Sequence, residues 1–191
     1  MLILPKSCFL HIPKTGGTWV TQVIRKIGIP HEEFLVDGDP HRGVKECPHP
    51  ERFRFAFVRH PVVAYQSYWR HKMGGGWNPP NQMDRVCRSD EFETFVVNVL
   101  KYFPGFCTHV YEQYVGPPED PIEFVGKQEN LVEDLITALK CAGETFNESS
   151  IRAFPPQNVS DRTRFNAAYT PKLERLVREA EWAAIERYGY E

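Results

Sequence analysis

The segment FLHIPKTGGTW near the N-terminus combines several groups that bind anions. An apolar run is followed by Lys14 and by the pair Gly16 and Gly17, and Thr15 and Thr18 add two hydroxyl groups. Glycines let backbone N–H groups approach a ligand closely, and the N-terminus of a following helix favours negative charge. The segment therefore predicts a strand, a phosphate-binding loop and a helix.

This loop differs from the loop that binds ATP in P-loop proteins. The ATP-binding pattern GxxxxGK[ST] has its lysine after the last glycine, whereas Lys14 precedes both glycines. No apolar strand that ends in a magnesium-binding aspartate is obvious in the chain. Taken alone, the glycine pair is also typical of a simple turn beside an exposed lysine.

A second anion-binding candidate lies in FAFVRHPVVAYQSYW. Arg59 ends an apolar run, and Ser67 follows eight residues later in a helix that we predict to begin at Pro61. A guanidinium holds a phosphate through two parallel hydrogen bonds. In open α/β sheets ligands bind beyond the carboxyl ends of strands, where both Lys14 and Arg59 are predicted to lie. The two segments predict a cleft for a ligand with phosphates at two ends.

The order PKTGGTW and then FVRHPxxxxxSxW resembles the PAPS-dependent sulfotransferases, whose donor is 3′-phosphoadenosine 5′-phosphosulfate. The segments FVGKQENLVEDL and YTPKLERLVREAEWAAIERYGY are similar to parts of the carbohydrate and membrane-type members and their bacterial relatives. The resemblance covers nearly the whole chain, and the two donor motifs are its specific part.

The resemblance implies a donor site with three groups of residues. The loop would hold the 5′-phosphosulfate with an indole against the adenine, an Arg–Ser pair would hold the 3′-phosphate, and two polar residues would close the site from the C-terminal side. The loop group comprises Lys14, Thr15, Gly16, Gly17, Thr18 and the indole of Trp19. The Arg–Ser pair is Arg59 and Ser67, and the two closing residues are Asn158 and Ser160. A simple turn is the alternative interpretation of the last two.

Sulfuryl transfer also needs a base for the acceptor hydroxyl and a cation for the leaving phosphate. Lys14 is the predicted cation. In related carbohydrate sulfotransferases a histidine between the first helix and the second strand can serve as base, and His41 lies in that region. Asp37, Asp39 and Glu46 stay open as alternatives because some relatives use a carboxylate. The other interpretation of His41 is an ordinary loop histidine.

The elements that must position these residues alternate between strands and helices. Predicted strands cover residues 7–12, 53–58 and 121–126. Predicted helices cover 18–28, 61–73, 91–102, 130–143 and 171–188. Residues 147–170 are polar and predicted to be irregular. The pattern predicts a single α/β domain over residues 1–191, with a parallel sheet, helices on both faces and a P-loop-like nucleotide site.

Composition limits the partners. The 191 residues carry a net charge of −2, which argues against a generally basic surface for nucleic acid. No stretch approaches the roughly 20 apolar residues of a membrane span, so a cytoplasmic protein is expected. The five cysteines have no CxxC spacing, which argues against a disulfide framework or a zinc site. No metal is expected, because Lys, Arg and helix N–H groups can stabilise the transferred charge.

The sequence therefore predicts a sulfotransferase that moves the sulfuryl group of PAPS to an acceptor hydroxyl on a carbohydrate. In-line displacement with a general base would leave 3′-phosphoadenosine 5′-phosphate (PAP) as product. The alternatives are a P-loop small-molecule kinase and a non-catalytic protein that binds PAP or PAPS. The Gly/Pro-rich loop 74–82 is either an acceptor lid or a surface loop.

Overall fold

The computed structural model describes residues 1–156 and 164–191. The strands are β1 (Leu2–Ile3), β2 (Ser7–Leu10), β3 (Glu32–Glu33), β4 (Phe53–Val58) and β5 (Phe124–Lys127). The helices are α1 (Gly17–Ile27), α2 (Pro61–Gly75), α3 (Gln82–Cys87), α4 (Phe92–Tyr102), α5 (Phe106–Val115), α6 (Leu131–Cys141), α7 (Glu148–Arg152), α8 (Pro171–Ala180) and α9 (Trp182–Arg187).

The strands form one sheet in the order β3-β1-β2-β4-β5. The neighbours β2, β4 and β5 are parallel, with Phe9 opposite Phe55 and Phe55 opposite Phe124. The predicted α/β class with a parallel core is therefore confirmed. Two short strands extend this core in the antiparallel sense, which the sequence analysis did not predict. The turn from β1 to β2, closed by Leu4 N–H on Ser7 O at 2.8 Å, is too short for a parallel crossover.

Several predicted element bounds differ from the structure. β5 begins at Phe124 and not at residue 121, because the N–H of Ile122 bonds to Val115 O at the end of α5 instead of to the sheet. The predicted strand over 7–12 ends at Leu10. The interval 147–170 was predicted irregular, but it contains α7, where the side chain of Asn147 caps the helix.

The predicted closing helix over 171–188 is two helices. They are α8 and α9, and Glu181 interrupts them with φ −107° and ψ 15°. The helices α3 and α5 also had no counterpart in the sequence prediction.

The chain divides into two compact units, each built from two segments. The first unit comprises Met1–Arg59 and Val110–Asn158 and contains the whole sheet with α1, α6 and α7. The second comprises His60–His109 and Val159–Glu191 and contains α2, α3, α4, α8 and α9. The boundary at His109 falls inside α5. No helix among the described residues is long and apolar enough to cross a membrane.

An apolar core joins the sheet of the first unit to its helices. The rings of Phe9 and Phe55 stack with centroids 5.4 Å apart. The helical side chains of this core include Val20, Val23 and Ile24 of α1 and Leu135, Ile136 and Leu139 of α6. Their three- and four-residue spacings give each helix one buried stripe, which fixes α1 and therefore the loop before it.

Candidate functional site

The loop between β2 and α1 has an unusual backbone. Lys14 has φ 67° and Gly16 has φ 91°. Positive φ is uncommon outside glycine, and such strained residues cluster at functional sites. The buried hydroxyl of Thr15 donates to Ile12 O at 3.0 Å, so it braces the loop from within. The loop conformation is thus held by its own side chains.

Both glycines also lie in close contact with side chains of the protein. A Cβ on Gly16 would lie 2.6 Å from Leu131 Cδ2 of α6, and one on Gly17 would lie 2.0 Å from His11 Cδ2. The sequence motif predicts glycine here for close approach of the backbone to a ligand. The structure adds a second reason for glycine at these positions, because neighbouring side chains occupy the space that a Cβ would take.

The loop presents backbone donors that the protein does not use. Within residues 1–156 and 164–191, the N–H groups of Thr15, Gly16, Gly17 and Thr18 donate to no protein acceptor. The first N–H groups of a helix have no partner inside the helix, and the helix dipole adds positive potential there. The first turn of α1 contains no acidic side chain. This arrangement is chemically suited to a phosphate or a phosphosulfate.

The arginine of the second motif reaches this loop. Arg59 follows β4, and its Nη1 donates to Lys14 O at 3.3 Å. The backbone of Arg59 is held on both sides by Tyr111, whose hydroxyl accepts from Arg59 N at 3.3 Å and donates to Arg59 O at 2.6 Å. Because β2 and β4 are parallel neighbours, their carboxyl ends share one edge of the sheet. The structure thus brings Lys14 and Arg59 together.

Tyr111 is a positioning residue that sequence reasoning missed. It lies 52 residues from Arg59 along the chain, in α5. No local motif marks a tyrosine whose hydroxyl orients a distant backbone group, so only the tertiary contact could reveal it.

The other residues predicted for the donor site are Ser67, Trp19, Asn158 and Ser160. Ser67 lies in α2 of the second unit and is 6% exposed. Trp19 belongs to the core of the first unit, where Nε1 donates to Pro155 O at 3.1 Å and the indole meets Phe154 edge-on. Only 6% of Trp19 is exposed, so little of the indole is accessible to an adenine. Asn158 and Ser160 lie outside the described residues.

The histidine predicted as base is tied to the strand that precedes the loop. His41 Nδ1 lies 2.8 Å from His11 O. A carbonyl oxygen only accepts, so Nδ1 carries the proton and donates it. The lone pair of neutral His41 is therefore on Nε2, which is the arrangement that a general base needs.

His11 itself is a poor base. Its ring lies against Gly17 and meets the ring of His41 edge-on, with centroids 4.6 Å apart. Burial, reinforced by the neighbouring charge of His41, lowers the pKa of His11 to about 3. His11 is therefore uncharged at neutral pH and has little affinity for a proton, in keeping with a structural role.

The alternative carboxylates have other partners. Asp39 Oδ1 accepts from His41 N at 2.9 Å, and Glu46 Oε2 accepts from Gly43 N at 2.9 Å. Arg42 lies 4.0 Å from Asp39 and 3.5 Å from Glu46. Asp37 has φ 54° and lies in the turn that pairs Val36 with Asp39. These contacts position the loop around His41.

No protein-family model, curated protein or solved structure matches this chain. Among the described residues, no group of three or more His, Cys, Asp and Glu side chains could hold a metal ion. The functional interpretation therefore depends on the two motifs and on the geometry of the first unit.

Proposed function

We propose that this protein is a PAPS-dependent sulfotransferase that transfers a sulfuryl group to a carbohydrate hydroxyl. The observation that carries the proposal is the contact of the Arg59 guanidinium with Lys14 O. It joins the two donor motifs, which are 45 residues apart, at one edge of the sheet. The open N–H groups of the loop provide the second phosphate-binding element that a donor with two phosphorylated ends requires.

The proposed reaction is a direct displacement at sulfur. His41 Nε2 accepts the proton of the acceptor hydroxyl as its oxygen forms the new bond to sulfur. The bond between sulfur and the 5′-phosphate oxygen breaks, and PAP leaves with the bonding electron pair. The ammonium of Lys14 and the N–H groups of the loop stabilise the negative charge that develops on that oxygen. The proton on His41 then returns to solvent.

Calorimetric titration with PAP tests the donor site directly. We expect PAP to bind more tightly than adenosine 5′-phosphate or magnesium-ATP. We expect Arg59→Lys to weaken PAP binding about tenfold, because lysine keeps the charge but loses the paired hydrogen bonds. Arg85→Lys is the matched control, since Arg85 is exposed on α3.

Two results would redirect the assignment. Tighter binding of magnesium-ATP than of PAP would overturn the sulfotransferase proposal in favour of a kinase. Binding of PAP without transfer of label from radiolabelled PAPS to any glycan in a broad panel would indicate a protein that binds the nucleotide without catalysis.

A further inference from the structure

The first unit contains a cleft of about 260 Å³ beside His11. Its polar wall is one face of α1, formed by Thr18, Thr21, Gln22 and Arg25. These positions follow the three- and four-residue spacing that places side chains on one helix face. The cleft is also lined by apolar side chains, which include Leu2, Leu35 and Pro40.

The polar wall offers unused hydrogen-bonding groups. Among the described residues, the hydroxyls of Thr18 and Thr21 and the amide of Gln22 bond to no protein group. Hydroxyl and amide groups both donate and accept hydrogen bonds. A sugar ring has the matching surfaces, with hydroxyl groups on its edge and C–H groups on its face. A small cavity with one apolar wall and a few convergent polar groups is typical of a ligand site.

The charges of the cleft favour an uncharged ligand. Glu33 pairs with Arg25 at the cleft, and the hydrogen bond from Arg25 holds the pKa of Glu33 below its usual range. These two charges neutralise one another. Burial lowers the pKa of His11 to about 3 and that of the Met1 amino group to about 6, so both are mostly uncharged at neutral pH. An anionic sugar would meet no uncompensated cation among these groups.

Two residues that line the cleft are close to the proposed donor loop and the proposed base. Thr18 lines the cleft and also lies in the first turn of α1, where its N–H points out of the helix end. His11 lines the cleft, and its ring is 4.6 Å from the ring of His41. A sugar ring in the cleft would therefore lie against Thr18 and His11, and the ring of His11 also contacts that of His41.

We propose that this cleft binds one uncharged sugar ring of the acceptor, next to His41. The inference rests on the sulfotransferase function proposed above and names its acceptor class, a neutral sugar and not a uronic acid or a sugar that is already sulfated.

Filling the cleft tests this inference without an activity assay. The probes are the methyl glycosides of glucose, galactose and N-acetylglucosamine, with methyl glucuronide as the anionic counterpart of the glucoside. Binding to the full chain is measured by NMR titration. Thr21→Trp places an indole in the cleft, and Lys26→Trp places one at an exposed position of α1 that does not line it.

We expect at least one neutral glycoside to bind the wild type and Lys26→Trp equally, and Thr21→Trp about tenfold more weakly. Gln22→Ala, which removes an amide without adding bulk, should also weaken binding. This variant tests the cleft even where Thr21→Trp fails to fold. The glucuronide should bind more weakly than the glucoside.

Three results would overturn the inference. The first is that no neutral glycoside binds the wild type. The second is that the folded cleft variants bind a neutral glycoside as tightly as the wild type does. The third is that the wild type binds the glucuronide more tightly than the glucoside. PAP titration of the same proteins separates the two proposals, because PAP affinity should not change in Thr21→Trp. Failure of the wild type to bind PAP would overturn the sulfotransferase function, whereas the glycoside titration would still decide whether the cleft binds sugar.

Discussion

At the scale of single residues, one backbone carbonyl determines which nitrogen of His41 is free to take a proton. His11 O accepts from His41 Nδ1 at 2.8 Å, so the lone pair of the neutral ring is on Nε2. The same segment holds its neighbouring carboxylates in other contacts, with Asp39 on the N–H of His41 and Glu46 on the N–H of Gly43. These hydrogen bonds distinguish His41, the proposed base, from the two carboxylates beside it.

Replacement of His41 by alanine should separate catalysis from donor binding. We expect His41→Ala to lower the rate of sulfuryl transfer by about 100-fold or more, because general-base catalysis contributes at least that factor. PAP affinity should stay unchanged. The measurement is transfer from radiolabelled PAPS together with calorimetric PAP titration.

His31→Ala is the control for this substitution. His31 is exposed and also has Nδ1 near a carbonyl, Ile29 O at 2.9 Å. If His41→Ala lost as much PAP affinity as transfer rate, His41 would have a structural role in the loop, which would contradict its role as base.

At the scale of elements, the loop and the start of α1 depend on close packing against α6 and β2. Gly16 is the N-cap of α1 and has no side-chain cap, while Gly28 ends the helix, also with positive φ. A side chain at either position would add backbone strain, because both residues have positive φ. The two positions differ in the atoms that surround them. A Cβ on Gly16 would meet Leu131 at 2.6 Å, whereas one on Gly28 would meet nothing within 4 Å.

This difference predicts unequal effects of two alanine substitutions. Gly16→Ala and Gly28→Ala should both lower the free energy of unfolding through backbone strain. Gly16→Ala should cost about 1 kcal/mol more than Gly28→Ala, because the end of the Leu131 side chain must shift to make room for the new methyl group. Urea unfolding measures both variants, and equal losses would contradict the packing role. PAP binding should weaken only in Gly16→Ala.

At the scale of the whole molecule, each unit is assembled from two distant segments of chain. In the second unit the buried carboxylate of Glu181 joins these segments. Its oxygens accept from the hydroxyl of Tyr65, from Cys107 N, and from both the N–H and the hydroxyl of Thr108. Glu181 also separates α8 from α9, so the residue at the helix break is the one that joins the two segments.

Glu181→Gln should therefore destabilise the protein without touching the donor loop. Glutamine loses the negative charge and replaces one acceptor with a donor that faces other donors. We expect the free energy of unfolding to fall by about 1.5–3 kcal/mol, the range for hydrogen bonds to a charged group. Urea unfolding measures the change, with Glu179→Gln as the control, because Glu179 is exposed. A loss no larger than that of the control would contradict this role.

Local patterns in the sequence were sufficient for the parts of the molecule that depend on neighbouring residues. The apolar run of β4 was predicted with the bounds that the structure has, Phe53–Val58. Pro61 correctly marked the start of α2, and Gly28 correctly marked the end of α1. The glycine-bearing loop after β2 and the parallel strand core were likewise predicted, because strand, loop and helix signals are local.

Tertiary structure alone decided which residues meet. It placed Arg59 on the carbonyl of Lys14 and His41 on the carbonyl of His11, and it packed Trp19 into the core of the first unit. It also broke the C-terminal helix at Glu181, whose acceptor oxygens bond to distant segments. Each of these outcomes depends on partners between 30 and 136 residues away, and periodicity and spacing carry no information about such contacts.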